Sequence, residues 1–175
     1  MYTALIILGI IVLIVVVLVL IAPRNYNVER SIVINRPVSE VFNYLRYIKN
    51  QDHWSPWKKR DPNMVQSFEG TDGAVGFISR WEGNKHVGTG EQEIIRINEN
   101  REIISQLRFL KPWKSTSDAF LRVEEVPEGS RVTWGFYGNH KPPMNVMMMF
   151  FNMDKAVGKD FDEGLSDLKK ILEQQ

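Results

Sequence analysis

The sequence predicts an α+β fold that is preceded by one long apolar helix. Three observations support this prediction. Seven short segments with strand-like patterns, separated by turn residues, follow residue 24. One apolar stripe at helical spacing lies near the C-terminus, and one uncharged apolar run lies near the N-terminus. This order of elements favours an antiparallel sheet with its helices gathered on one face.

The N-terminal run predicts a transmembrane helix. The 19 residues from Ala4 to Ala22 are all Ala, Leu, Ile or Val, apart from Gly9. At a rise of about 1.5 Å per residue, such a helix crosses the roughly 30 Å hydrocarbon core of a bilayer. No basic residue precedes the run and no A-x-A pattern ends it, which favours an uncleaved anchor over a signal peptide. We therefore divide the chain into an anchor, residues 1–23, and a soluble domain, residues 24–175.

The charges around this run predict its orientation. Arg24, Arg30 and Arg36 follow the run, whereas only the terminal amine precedes it. Because cytoplasmic flanks carry the excess of Lys and Arg, the protein is expected to be single-pass with its domain on the cytoplasmic side.

The domain begins with a predicted strand and a short helix. Alternating polarity predicts a strand over Tyr26–Ile34, which Pro37 and its neighbours end. Apolar residues at helical spacing then predict a helix over 38–48. Residues 51–57 form an aromatic loop or a single helical turn. Within it, Trp54 and Trp57 are expected to pack under the helix, although gating of a cavity mouth is an alternative.

Six further strands are predicted as an antiparallel meander. Gly83-Asn84-Lys85 is typical of a hairpin turn, and Lys111-Pro112-Trp113-Lys114 is typical of another turn or, alternatively, of a contact with lipid headgroups. The six segments are Met64–Phe68, Val75–Trp81, Val87–Ile97, Glu102–Leu110, Thr116–Val126 and Arg131–Gly138.

The C-terminal stripe predicts a helix of about 18 residues that covers the sheet. From Asp154 onward, its apolar residues are spaced by four, four, three and four positions. They are Val157, Phe161, Leu165, Leu168 and Leu172. The preceding stretch, Met144–Met153, includes consecutive Met147-Met148-Met149 and Phe150-Phe151. It is compatible with an adaptable pocket wall, with a segment in the bilayer interface, or with an ordinary helix start packed on the sheet.

Several strings resemble the helix-grip superfamily, which includes START lipid-transfer domains and SRPBCC proteins, and most closely its polyketide cyclase/dehydrase-like branch. These strings lie at residues 29–42, 55–57, 131–134 and 161–169, and the resemblance covers about residues 26–172. It implies a curved sheet of about seven strands wrapped around the long C-terminal helix, with an apolar cavity between them. The pocket residues expected from it are Trp81, Phe109, Trp134, Phe136, Met148, Phe161, Leu165 and Leu168.

The sequence shows no recognisable catalytic or metal-binding pattern. Cysteine is absent, and His53, His86 and His140 lack the spacing of a zinc site. The stretch Gly88-Thr89-Gly90 lies inside a predicted strand, which does not fit a dinucleotide-binding turn. Buried catalytic acids at Asp118, Glu124 or Glu125 are an alternative, but such residues on strands are usually solvated charges. No catalytic residue, metal or cofactor is therefore predicted.

The balance of charges limits the classes of partner. The formal net charge is +1, without the basic surplus that is typical of a nucleic-acid-binding domain. The leading hypothesis is a membrane-anchored domain that binds a lipid or another apolar small molecule. The alternatives are a cyclase- or dehydratase-like enzyme using the same pocket, and an interaction or stress-response domain without a ligand. Protein partners and oligomeric state are not predicted.

Overall fold

The computed structural model describes residues 2–150 and 152–174, apart from the side chain of Ala4. Met1, Phe151 and Gln175 lie outside the described residues. At these three positions, the predictions for the anchor, for the segment Met144–Met153 and for the end of the domain are not tested. The helices are α1 (Tyr2–Ile21), α2 (Val38–Leu45), α3 (Pro56–Arg60), α4 (Met144–Met148) and α5 (Met153–Glu173), with a 3₁₀ helix at Ile48–His53. The strands are β1 (Asn25–Ile34), β2 (Val65–Glu69), β3 (Ile78–Glu82), β4 (Thr89–Asn98), β5 (Glu102–Lys111), β6 (Ser115–Val126) and β7 (Gly129–Asn139).

The seven strands form one antiparallel sheet with the order β1-β7-β6-β5-β4-β3-β2. Strands β2 to β7 follow the predicted meander, and β1 joins the far edge of β7, from Asn25 opposite Asn139 to Ile34 opposite Ser130. The predicted strand Val75–Trp81 begins later, at Ile78, because a turn precedes it in which Gly76 has a φ of 88°. The α+β class and the seven-stranded sheet are confirmed.

Helix α2 is shorter than the predicted helix over 38–48. It ends at Leu45, and Ile48 instead begins the 3₁₀ helix. The Asp72 side chain provides the physical reason, because its carboxylate accepts hydrogen bonds from the backbone N–H groups of Ile48 (2.8 Å) and Lys49 (3.3 Å). These N–H groups are thereby diverted from a continued α-helical ladder.

Helix α5 is 21 residues long and packs on one face of the sheet, mainly against β1 and also against β7. It begins one residue before the predicted start, and the Asn152 side chain caps it by accepting a hydrogen bond from Lys155 N at 2.8 Å. Its buried apolar residues join one core cluster with α2 and the sheet. The α5 members are Phe161, Leu165, Leu168 and Leu172, and those from α2 are Val41, Phe42 and Leu45. The predicted covering helix is therefore confirmed.

Helix α1 precedes the domain and exposes most of its apolar side chains. Those of residues 5–8, 10–17, 20 and 21 are 44–69 % exposed, and side chains are described without interruption from residue 5 to residue 21. Among the described residues, no helix combines the length and hydropathy needed to cross a membrane. The transmembrane anchor, the division at residue 23 and the cytoplasmic location stay predictions.

Helix α4 is joined to the end of α1 by a buried asparagine. The Asn145 Nδ2 group donates to the backbone carbonyls of Val19 (3.1 Å) and Ala22 (3.3 Å). Val19 is in the last turn of α1 and Ala22 directly follows the helix, where no further helical N–H groups are available to these carbonyls. The Asn145 side chain thus holds α4 beside the C-terminal end of α1.

Candidate functional site

A cavity of about 340 Å³ lies between the face of the sheet that α5 covers and the N-terminal half of α5. The segment from the 3₁₀ helix to α3 closes one side. The strand residues that line the cavity are Gln66, Ser79, Trp81, Gln92, Leu107, Phe109, Ala119, Trp134 and Phe136. The helical and loop residues are Ile48, Gln51, Asp52, Ser55, Trp57, Lys58, Met64, His86, Val87, Val157 and Phe161.

Strand register explains which residues face the cavity. Ala119 of β6 lies opposite Phe136 of β7, and Leu121 lies opposite Trp134. Because side chains alternate between the two faces of a strand, these positions share the face that α5 covers. The intervening positions, such as Arg122 and Tyr137, point to the outer face, where both are exposed.

Packed aromatic rings form the most apolar wall. The ring centroid of Trp134 is 4.3 Å from that of Phe161 and 5.4 Å from that of Trp57, and the Phe136 and Phe161 centroids are 5.8 Å apart. Tilted and edge-to-face pairs at such distances are favourable for aromatic rings. Each ring is therefore held by its neighbours, and the wall has a fixed shape.

Gly90 makes room for the indole of Trp81, which closes another side of the cavity. It lies opposite Trp81 in the β3–β4 pair, and a Cβ atom at this position would be 2.6 Å from Trp81 Cζ2. The indole rests over the bare backbone and meets Phe109 at a centroid distance of 5.9 Å. Gly90 thus serves packing between β3 and β4, whereas Gly88 lies just before β4 with a φ of 74°.

Five of the eight predicted pocket residues line this cavity, namely Trp81, Phe109, Trp134, Phe136 and Phe161. That any of them binds a ligand stays a prediction. Leu165, Leu168 and Met148 are not among the lining residues, and a role for them in ligand binding also stays a prediction.

The three exceptions have physical explanations. After Phe161, α5 packs directly against Trp134 and Pro56, which fill the space beside the helix. A Cβ atom at Gly164 would be 2.7 Å from Trp134 and 3.2 Å from Pro56. Leu165 and Leu168 are consequently buried in the core cluster. Met148 lies in α4, beside the end of α1. Val157, one turn before Phe161, completes the helical wall instead.

The two tryptophans near α3 have different positions. Trp54 is 1 % exposed and packs edge-to-face on Trp134, with 4.8 Å between the ring centroids. Its position agrees with the predicted packing role. Trp57 lines the cavity and touches the aromatic wall, so it belongs to the candidate site.

A polar chain, which the sequence did not predict, lines the side of the cavity near α3. Lys58 Nζ donates to Gln66 Oε1 at 2.9 Å, and Gln66 Nε2 donates to Asp52 Oδ1 at 2.9 Å. Ser79 and Gln92 add polar groups on the neighbouring strands. The strand alternation could have indicated the polar strand residues of this chain. Each lies two positions from an apolar residue of the same strand and so on the same face, as Ser79 does with Trp81.

Helix α3 is held on α5 by ion pairs. Arg60 forms two hydrogen bonds to the Asp160 carboxylate, and Lys59 pairs with Asp167 and, at 3.5 Å, with Glu163. The hydrogen bond from Lys59 holds the pKa of Asp167 below its ordinary value. These pairs position Trp57 and Lys58 at the cavity.

The histidines do not converge on one site. His86 lines the cavity, and His53 Nδ1 lies 3.3 Å from Tyr44 Oη. The His140 ring stacks on Tyr26 at a centroid distance of 4.4 Å, and burial lowers its pKa. Within residues 2–150 and 152–174, no group of three or more His, Cys, Asp or Glu side chains is arranged to hold a metal ion.

The three acids considered as catalytic candidates lie outside the cavity lining. Glu124 and Glu125 are exposed, as expected of solvated charges on a strand. Asp118 is half-buried and lines a separate groove with residues of β1, β5 and β7, near Tyr26. None of the three has a position suited to proton transfer in the cavity.

The family model described as polyketide cyclase / dehydrase and lipid transport matches residues 26–173, and the chain belongs to this family. The predicted superfamily is thereby confirmed. The match covers all of α5 and the whole sheet apart from Asn25, the first residue of β1, and it leaves α1 outside. A comparison with curated protein sequences gave no significant match.

Solved structures show the same fold at low sequence identity. Major latex-like protein 151 from Panax ginseng has a TM-score of 0.61 at 12% identity, over 85% of this chain and 97% of that one. A protein from Rhizobium leguminosarum has a TM-score of 0.60 at 14% identity, over 86% and 96%. The Aha1 protein from Colwellia psychrerythraea, solved as a dimer, has a TM-score of 0.55 at 16% identity, over 85% and 96%. The helix-grip fold is thereby confirmed.

Proposed function

We propose that this protein is a membrane-anchored binding domain for a lipid or another apolar small molecule, with a carrier, sensor or transport role. The observation that carries the proposal is the cavity of about 340 Å³ between the sheet and α5. Ligand-binding pockets typically span roughly 300–1,000 Å³ and combine apolar walls with a few polar groups. The aromatic wall and the Lys58–Gln66 pair match that description.

Burial of apolar surface supplies the driving force in this proposal. Each Å² of apolar ligand surface removed from water contributes about 25 cal/mol. Because Trp134, Phe136 and Phe161 already fix one another, little side-chain ordering opposes binding. The polar groups near α3 then orient the ligand.

The membrane anchor in this proposal is α1. Its 20 residues carry no charged side chain, and large exposed apolar surfaces are typical of segments that contact other proteins or membranes. The arginine that follows it, Arg24, favours a cytoplasmic location for the domain.

Exposed apolar residues near the end of α1 support membrane proximity. Asn145 joins α4 to that end, and Met147, Met149 and Phe150 are exposed around it. Trp113 lies in the β5–β6 turn, at the same end of the sheet as the start of β1. Trp and neighbouring Lys side chains favour the interface between lipid and water.

The first test is native mass spectrometry of the full chain, purified in lipid nanodiscs from its own host and followed by extraction of bound molecules. We expect one apolar molecule per chain, enriched over the bulk nanodisc lipid. The Val157→Trp variant fills the cavity from α5 and should lose this molecule. Lys159→Trp, at an exposed position of the same helix, is the matched control and should retain it.

A second candidate is a cyclase- or dehydratase-like enzyme that uses the same cavity. The specific observation in its favour is that Asp52, Lys58 and His86, three titratable residues, line the cavity. Chemical conversion of the extracted molecule by the purified protein would favour the enzyme. An empty protein that also rejects fatty acids, isoprenoids and polyketides would instead favour an interaction domain without a ligand.

A further inference from the structure

Lys58 is the only lysine or arginine among the described residues that line the cavity. Its Nζ group donates to the neutral Gln66 Oε1, and the Gln66 amide is oriented by its own bond to Asp52. Within the described chain, no carboxylate lies within ion-pairing distance of Lys58. An ammonium group has three donors, so Lys58 retains hydrogen-bonding capacity toward the cavity.

The neighbouring basic residues of α3 differ from Lys58 in this respect. Lys59 pairs with Asp167 and Glu163, and Arg60 pairs with Asp160. Three consecutive basic residues therefore divide into two that hold α3 on α5 and one that faces the cavity without a carboxylate partner. A cation at the edge of an apolar cavity forms strong, charge-assisted hydrogen bonds with an anionic group.

We propose that Lys58 binds the anionic head of a single-chain amphiphile whose apolar tail lies against the aromatic wall of Trp134, Phe136 and Phe161. This inference rests on the proposed function and specifies its ligand class. A carboxylate and a phosphate share the required chemistry. The cavity of about 340 Å³ is near the lower end of the range for small-molecule sites, which favours one chain over a two-chain lipid.

The test uses the full chain in nanodiscs and two photoreactive probes, decanoic acid and decanol, each with a diazirine near the end of its tail. Mass spectrometry of the labelled peptides separates cavity labelling from labelling of α1. We expect the acid to label peptides that contain Phe136 or Phe161 about tenfold more than the alcohol does, since hydrogen bonds to charged groups are the stronger class.

Variants of Lys58 connect this preference to its side chain. Lys58→Met should reduce acid labelling about tenfold, to the level of the alcohol, and should leave alcohol labelling unchanged. Lys58→Arg keeps the charge and should retain the preference. Lys159→Met, at an exposed position of α5 outside the cavity lining, is the matched control, and near-ultraviolet circular dichroism verifies that each variant is folded. Competition with unlabelled decanoate and decyl phosphate distinguishes the two anionic heads.

Two failures are distinguishable. Equal labelling of the cavity by acid and alcohol, unchanged in Lys58→Met, would overturn the role of Lys58 while leaving an apolar-ligand cavity in place. Labelling confined to α1 and the nanodisc lipid, with both probes, would overturn the proposed function itself.

Discussion

Gly164 shows how closely α5 packs on the aromatic wall. A Cβ atom at this position would be 2.7 Å from Trp134 Cζ3, 3.2 Å from Pro56 Cδ and 3.4 Å from Trp54 Cε3. Buried rings and a proline cannot swing away as the end of a flexible side chain can. A single methyl group here must therefore displace the helix or the wall.

We expect Gly164→Ala to lower the free energy of unfolding by about 1–3 kcal/mol, because overpacking outweighs the gain of about 1 kcal/mol in helix propensity. Urea denaturation followed by tryptophan fluorescence measures the change. Ser166→Ala, two residues further along α5, is the control and should change stability by less than about 0.5 kcal/mol. Equal stability of Gly164→Ala and the wild type would contradict the close packing described here.

At single positions, the sequence predicted the apolar part of the cavity better than its polar part. Trp134, Phe136 and Phe161 were expected from the resemblance to the helix-grip superfamily, and their burial agrees with the general tendency of large aromatic residues to be buried. Lys58 and Gln66 were missed because a polar residue in a short helix or an edge strand is usually solvated. Their position depends on contacts between residues distant in sequence, such as the bond from Gln66 to Asp52.

Among the elements, the short helix α3 depends on ion pairs for its position. Five residues are too few to form a stable helix alone, so tertiary contacts must hold it. The side chain of Asp160 is only 12% exposed, and both of its oxygens accept hydrogen bonds from Arg60. Removal of Arg60 would leave a largely buried carboxylate without its partner.

We expect Arg60→Met to destabilise the domain by about 1–3 kcal/mol, because an unpaired carboxylate at a largely buried position costs that order of free energy. A double-mutant cycle with Asp160→Asn measures the coupling, which should account for most of the loss. Lys59→Met removes a more exposed pair and should cost no more than about 1 kcal/mol. Additive effects of Arg60→Met and Asp160→Asn would show that the two side chains do not interact energetically.

The predicted element boundaries agree with the structure where nearby residues determine them, and they differ where contacts with residues distant in sequence determine them. The hairpin at Gly83-Asn84-Lys85 and the long α5 arise from turn residues and a regular apolar stripe. The end of α2 depends on Asp72, a distant residue that binds the backbone at Ile48. Likewise, the apolar stripe of α5 shows which face of the helix is buried. The contacts at Gly164 determine which part of that face lines the cavity and which part packs in the core.

For the molecule as a whole, the end of the sheet next to α1 carries the most exposed tryptophan. Trp113 is 69 % exposed between Lys111 and Lys114, whereas Trp54 and Trp134 are buried. In the proposed membrane-bound state, this turn faces the headgroups. The indole then lies at the depth that such side chains favour.

In vesicles that contain brominated phospholipids, we expect quenching of the protein's tryptophan fluorescence. Trp113→Phe should remove most of this quenching, because the other indoles lie in the core or the cavity wall. Trp57→Phe is the control and should preserve it. Undiminished quenching in Trp113→Phe would mean that another face of the domain meets the lipid.

The short connection between α1 and β1 has a consequence for how the domain meets its partners. Only Ala22, Pro23 and Arg24 separate the two elements, a span of roughly 10–14 Å at full extension, and Asn145 further restrains the junction. If α1 is embedded as proposed, the domain does not search a volume as a module on a long linker does. Its encounters are then governed by lateral diffusion in two dimensions, so donors and acceptors of its ligand must come to the same stretch of membrane surface.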